Sequence, residues 1–353
     1  MRSSLKHRAC ALAAAACVAA AGAAGCNQAE PVSGPVIGVL TYAPDRIVLV
    51  DPVALSVVGE VPLRSMGVDL TALSEPRGFA TAQCGGVGSS ADDAVAVVDL
   101  DDPPVARYVD LQSPNPGSVE ILPGGTLAVG HGLVVPDGSV CSLVDPVDRV
   151  LVAERTLGNV AGAPVAAAGF LWTAGAEADD LASADVTLRR TSIDLATSVV
   201  VDRPGPDGCL IAADPGGADS LLRVTSGGGE ALVERLDAAS LTPTASVRLT
   251  GLSDRISSVT AAGAYLVLVD ATGEDMSDPG GPLIVLDAVS LAEVGRIDAG
   301  GSISEVTALD GLLYAVTWST GELLEIDPAA GEVLRRMTIP DADGRMIEVA
   351  AVP

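Results

Sequence analysis

Beyond residue 8 the chain has no lysine: Lys6 is the only one among 353 residues. Histidine is almost as scarce, limited to His7 and His131, and aromatic residues make up 2% of the chain. Each shortage excludes something. A phosphate-binding P-loop needs its lysine. A Ser-His-Asp or Cys-His centre would have to be built on His131, and a histidine-rich transition-metal site is excluded by count. The nucleophile-elbow pattern G-x-S-x-G is missing as well. Two tryptophans, Trp172 and Trp318, come without convergent polar partners and give little sign of an aromatic ligand cage. After the N-terminus no stretch approaches 18 uninterrupted apolar residues. The longest such region, 161–172, contains Pro164 and several glycines, so no spanning helix is expected there.

The N-terminus is of a different character. Arg2, Lys6 and Arg8 precede a small-apolar run from Ala9 to Ala21, which is followed by Ala-Ala-Gly-Cys at 23–26 and a polar stretch. A basic flank, a short apolar core and a small-residue exit make an export signal. The cysteine after Ala-Gly resembles a bacterial lipobox, although Ala23 stands where that family usually has leucine. The resemblance implies cleavage before Cys26 and acylation of its thiol, which would anchor the protein to a membrane without a spanning helix. An ordinary signal cut nearby is the alternative. The expected organisation is a signal peptide over 1–25, a lipidated Cys26 with a short linker over 26–34, and one domain over 35–353.

Removing the signal leaves 17 basic against 46 acidic residues, a formal charge of −29. Such a surface repels phosphate backbones, so nucleic acid is excluded as a partner. Cations and basic partners suit it, and the charge also keeps an exported protein soluble.

The dominant feature is a repeat: apolar run, aspartate, short turn, apolar run. It recurs at Asp51, Asp99, Asp145, Asp194, Asp237, Asp287 and Asp327, with separations of 48, 46, 49, 43, 50 and 40 residues. A period of 40 to 50 residues built from short alternating strands is the signature of a propeller. Each anchor lies between two alternating strands. A further strand precedes it, carrying Tyr42, Phe79, Trp172, Tyr265 or Tyr314. A fourth segment comes before that, as in "SVEILPGG", "ISSVTAAG" and "ISEVTALDG". The reading is all-β, a seven-bladed propeller with four strands per blade. The first unit lacks its leading segment, and "RMIEVAAVP" at the C-terminus matches it, Ile347-Glu348-Val349 aligning with Ser304-Glu305-Val306. The last strand should therefore complete the first blade and close the ring.

Seven repeated aspartates at turns are explained by folding: Asp accepts hydrogen bonds from backbone N–H groups just ahead of it, and proline pre-sets the turn. One aromatic per blade at a fixed phase reads as a wedge between blades. His131 reads as a polar residue ending a strand. Two features remain open. The loops between second and third strands gather Asp92, Asp93, Glu177, Asp179, Asp180, Glu274, Asp275 and Asp278 on one face. Carboxylate-rich loops of this kind either supply oxygen ligands to calcium, with Asp179, Asp180, Asp275 and Asp278 the candidates, or form a solvated acidic face. Glu120, Glu305 and Glu348, with Ser258 in another blade, take the same place near the start of innermost strands. They form either an acidic ring at the mouth of the central channel, raising one another's pKa, or a strand-entry feature facing solvent. Cys84, Cys141 and Cys209 fall on this face too, and Cys84–Cys141 is the pair expected to bond in an oxidising compartment.

The units "LYAVTWSTGELLEIDPAAGEVLRRMTI" and "APDRIVLVDPVALSVVGEVPL" resemble the YVTN-type propeller repeat, and the likeness covers nearly the whole mature chain. That resemblance implies architecture and is almost silent on activity. The reading that follows is a lipid-anchored, exported monomer that serves as a non-enzymatic binding or scaffold module for a protein, peptide or cationic ligand. The enzymatic alternative rests on resemblance as well. "LYAVTWSTGELLEIDP" is similar to a blade of the plant-type glutaminyl cyclotransferases, which carry such a tryptophan in several blades, whereas here Trp318 alone matches well. Lactonase-type propellers hold a divalent metal through acidic and amide residues, for which Glu120, Glu305 and Glu348 would be the candidates.

Overall fold

The structure is a computed structural model. It describes residues 31–353 apart from 85–92, 132–138, 158, 162, 178–185, 206–207, 218, 254, 272–279, 319 and 343–345. Among the described residues twenty-nine strands form seven antiparallel sheets, six of four strands and one of five. This is the seven-bladed propeller expected from the repeat. Blade 1 joins Met346–Val352, from the C-terminus, to Val36–Thr41, Arg46–Asp51 and Ser56–Pro62. Ring closure by the last strand is therefore observed: Val36 lies opposite Val352, and Leu40 opposite Glu348. Blades 2 to 7 follow in chain order, with innermost strands Met66–Ser74, Pro116–Ile121, the split pair Asn159–Ala161 and Val165–Ala167, Gly208–Ala213, Arg255–Ala262 and Ile303–Leu309. The closing strand covers the inner edge of Val36–Thr41, a surface on which another chain could otherwise template.

The second and third strands of a blade, such as Val36–Thr41 and Arg46–Asp51, are buried on both faces because each sheet is sandwiched between two others, whereas outermost strands such as Glu332–Thr338 alternate in exposure. The core is accordingly divided into seven clusters, one per junction between neighbouring blades. All seven anchors act as turn caps. Asp51 Oδ1 accepts from the N–H of Val53 at 2.7 Å, Asp145 Oδ1 from Val147 at 2.8 Å and Asp327 Oδ1 from Ala329 at 2.8 Å. Asp99, Asp194, Asp237 and Asp287 make the corresponding bonds at 2.7–3.0 Å. Arginines tie blades together over these turns. Arg335 in blade 7 donates to Pro52 O and Val53 O of blade 1, both at 2.8 Å. Arg235 in blade 5 donates to Ala288 O and Val289 O of blade 6.

The aromatics depart from expectation. Phe79 and Trp172 are fully buried and Tyr314 nearly so, but Tyr42 is exposed beyond the end of its strand. They do not share one phase. Phe79 pairs with Val98, Tyr314 with Glu325, Trp172 with Arg190 and Tyr265 with Asp287, each a different distance from its anchor. With so few rings, each blade places its own where a neighbour leaves room. Gly38 leaves such room for Phe79, since a Cβ on it would lie 2.8 Å from that ring.

Candidate functional site

The innermost strands surround a central cavity of about 540 Å³. Counting back four residues from each anchor and crossing the ladder twice lands on one residue per blade: Glu348, Asp69, Ser118, Val165, Leu210, Ser258 and Glu305 for blades 1 to 7. All seven line the cavity. In five blades this residue follows a bulge, the extra residue being Val68, Gly117, Ser257, Ser304 or Ile347. A bulge adds local twist and re-aims the side chain beside it. The repeated bulge thus places Glu305, Glu348 and Asp69, on three consecutive blades, in equivalent positions around the cavity.

Two corrections follow. Asp69 belongs to the ring and was not among the expected residues. Its signal was present: "VDLTAL" at 68–73 parallels "SEVTAL" at 304–309. Glu120 does not share the register of Glu305 and Glu348. Ser118 takes that place, and Glu120 lies two residues further along the same strand, opposite Ala128. It still lines the cavity, one step deeper.

The four carboxyl groups are enclosed by the converging strands while remaining half-buried at the cavity surface. Enclosure disfavours their charged forms. It raises Asp69 to about 6, against the N–H groups of Val119 (2.7 Å) and Leu70 (2.8 Å), which favour its anion. Glu305 rises to about 7 for the same reason, opposed chiefly by the Val306 N–H at 2.9 Å. The Ser258 hydroxyl oxygen beside it is buried and completes no hydrogen bond. Glu120 rises to about 7 through enclosure and then the charge of Asp69. Glu348 rises well above its usual value, through enclosure and then the charges of Glu305 and Asp69. The carboxyls therefore do raise one another's pKa, but burial is the larger cause.

Among the described residues lining the cavity, every charged side chain is acidic. Blades 4 and 5 face them with Val165, Leu210, Ala163 and Ala212. One arc of the wall is acidic, from Glu305 through Glu348 and Asp69 to Glu120, and the opposite arc is apolar. Among the described residues no three of His, Cys, Asp and Glu are grouped so as to hold a metal ion. The calcium candidates Asp179, Asp180, Asp275 and Asp278 lie outside the described residues, as do Asp92 and Glu274. Asp93 is described and is buried, accepting from the Asn115 N–H at 3.1 Å.

The expected disulfide is not formed: Cys84, Cys141 and Cys209 are all free. Cys141 packs with Leu143, Leu157 and Leu171 in the junction of blades 3 and 4. The Cys84 thiol turns instead toward Asn115, 3.7 Å from its Oδ1, between blades 2 and 3. The sheet of blade 3 separates them. His131 ends its strand, as expected, but is buried. Its Nδ1 lies 2.9 Å from Pro114 O and its Nε2 2.7 Å from Ser142 Oγ, which donates to Glu154 at 2.7 Å. Burial lowers its pKa. Ser142 is fully buried and committed to this network, so its hydroxyl cannot meet a substrate.

No family model matches the chain, and no curated protein matches it. Solved structures do. A periplasmic gluconolactonase from Pseudomonas aeruginosa superposes with a TM-score of 0.66 at 17% identity, over 90% of this chain and 99% of that one. A putative 6-phosphogluconolactonase from Bacteroides fragilis gives 0.65 at 9% identity, over 90% and 98%. A functionally unknown protein from Desulfotomaculum acetoxidans gives 0.64 at 14%, over 89% and 98%. The chain has the propeller fold of these proteins. At such identities the likeness extends to the fold alone.

Proposed function

We propose that the chain is an exported, lipid-anchored binding propeller that takes a small organic cation at the mouth of its central channel. The observation that carries this reading is the cavity wall: four carboxyl groups converge from four consecutive blades, and no basic residue is among the described residues that line the cavity. Like charges held together favour whatever cation can enter. An ammonium group meets the acidic arc, and a hydrocarbon body meets Val165 and Leu210. Binding is coupled to protons. With Glu120 and Glu305 near 7, part of the cluster is protonated at neutral pH, and an arriving cation expels those protons.

Calorimetry with 1,4-diaminobutane in buffers of differing ionisation enthalpy tests the reading. Binding should strengthen from pH 6 to pH 8, release protons at pH 6.5, and vanish in the Glu120→Gln, Glu305→Gln, Glu348→Gln triple variant. Absence of any binding heat with mono- and diamines at pH 8 would refute it.

An enzymatic reading has two observations in its favour. Carboxyl groups near pH 7 suit general acid–base catalysis, and two of the similar structures are described as lactonases. Hydrolysis of aldonolactones, assayed with and without calcium, separates it from binding: turnover lost in Glu305→Gln would establish catalysis at the same cavity.

A further inference from the structure

The chain enters the propeller on one particular face. The first-to-second turns of blades 2 to 7 and the third-to-fourth turns of every blade lie on one side of the disc, here called the floor, and the other connections lie on the mouth side. Innermost strands start at the mouth, so Glu305 and Glu348, each third in its strand, belong to that side. Val36 opens a second strand and pairs with Val352, the last residue of an innermost strand, so it lies at the floor. The residues before it are pinned there. The Val32 N–H donates to Leu100 O at 3.1 Å, and Arg77 donates to Val32 O at 2.8 Å and to Gly34 O. Leu100 directly follows the anchor Asp99, and Arg77 opens the second strand of blade 2, both at the floor. Whatever precedes Pro31 therefore leaves from the floor.

The same face exposes Val53 (78%), Val147 (57%) and Val289 (78%), each two residues beyond an anchor aspartate. Arg335 and Arg235 occupy backbone carbonyls of the Val53 and Val289 turns, so these two present an apolar side chain with part of their backbone already satisfied. From Cys26 to Val32 is six residue steps, a reach of at most about 20 Å. An acyl chain on Cys26 would hold the floor within that distance of a bilayer.

We infer that the floor is the membrane-facing surface, its occupant a lipid bilayer held through Cys26, and that the channel mouth opens away from the membrane. The inference rests on the lipid-anchor reading above. It places the acidic cavity toward the aqueous compartment, so that its ligand arrives from solution rather than along the bilayer, and it keeps the carboxyl cluster away from anionic headgroups.

The test uses the full chain, processed and acylated, reconstituted in phosphatidylcholine vesicles containing headgroup-nitroxide lipid. A bimane label is placed on Val53→Cys or Val289→Cys at the floor, or on Asp298→Cys, exposed in the connection between blades 6 and 7 at the mouth. The parent chain supplies the background from its native thiols. Floor labels should be quenched at least about twofold more than the mouth label, as expected for side chains at the interface. Equal quenching, or stronger quenching at Asp298→Cys, overturns the orientation while leaving the anchor intact. The intact mass reports on the anchor separately: an unacylated Cys26 removes the anchor, and the orientation falls with it. All three positions are solvent-exposed, and a melting temperature matching the parent confirms that each variant is folded.

Discussion

At the scale of single residues, the cavity carboxyls have a cost that pH reveals. Enclosure raises Asp69 to about 6, Glu120 and Glu305 to about 7, and Glu348 well above its usual range. Unfolded carboxyls titrate near 4. Between roughly pH 4 and pH 7 the folded chain therefore binds more protons than the unfolded one, and stability falls as pH rises through that window. Contact with solvent in the cavity screens the groups, so Asp69, Glu120 and Glu305 each contribute about 1–2 kcal/mol. Glutamine mimics the protonated form and escapes the penalty. A Glu305→Gln, Glu348→Gln variant should melt above the parent at pH 8 and with it at pH 4.5. A gap between the two that is the same at both pH values would show that ionisation is not its cause. Two anchor aspartates behave in the opposite sense: Asp237 and Asp287 accept N–H bonds that hold their pKa down. Asp327 caps its turn by accepting from two backbone N–H groups. Asp327→Ala should cost about 1 kcal/mol by chemical denaturation without affecting ligand binding. Loss of binding in that variant would mean that the anchor does more than cap a turn.

At the scale of elements, the repeat made nearly all of the fold legible before any coordinates. Seven aspartates at a steady spacing marked the blades, and "RMIEVAAVP" announced its place beside "GPVIGVLTYA". The site was only partly legible, for physical reasons. Residue spacing along a strand does not reveal which residues are looped out of the ladder. Glu120 and Glu305 look alike in sequence, yet the pairing puts Ser118, not Glu120, opposite the equivalent position. Asp69 is harder to read in the sequence because its segment, "GVDLTAL", lacks a glutamate, although its pattern of apolar and hydroxyl residues is that of Ile303–Leu309. Cys84 and Cys141 share a face of the disc but not a side of blade 3, which depends on strand register. Packing between blades is equally specific. Gly38 sits in the second strand of blade 1 beneath Phe79 of blade 2, with 2.8 Å between that ring and a would-be Cβ. Gly38→Val should destabilise by about 1–3 kcal/mol through overpacking. Phe79→Leu in the same chain should recover part of that loss in a double-mutant cycle. Strict additivity of the two changes would show that the ring is not what Gly38 accommodates.

At the scale of the whole molecule, the ring is held shut by one non-covalent seam. Met346–Val352 pairs with Val36–Thr41 through six residue partners and contributes Met346, Val349, Ala350 and Val352 to the clusters on either side of blade 1. It also brings Glu348 to the acidic arc. Removing 346–353 would strip cover from Ile37, Val39 and Leu40, all fully buried, and leave the inner edge of blade 1 unpaired. A fully buried aliphatic side chain is worth about 1.5–3 kcal/mol, so the loss exceeds about 5 kcal/mol, comparable to the total stability of an ordinary domain. The truncated chain should melt more than about 10 °C below the parent and should associate through the exposed edge. A synthetic peptide of the sequence MIEVAAVP should restore both the melting temperature and the monomeric state, because the edge that it fills is specified by the other blades. The same peptide carrying glutamine in place of Glu348 should restore folding but bind a diamine less tightly than the native peptide does. Restored folding with undiminished binding would remove Glu348 from the ligand site while leaving ring closure intact. A truncated chain that melted with the parent would refute closure itself.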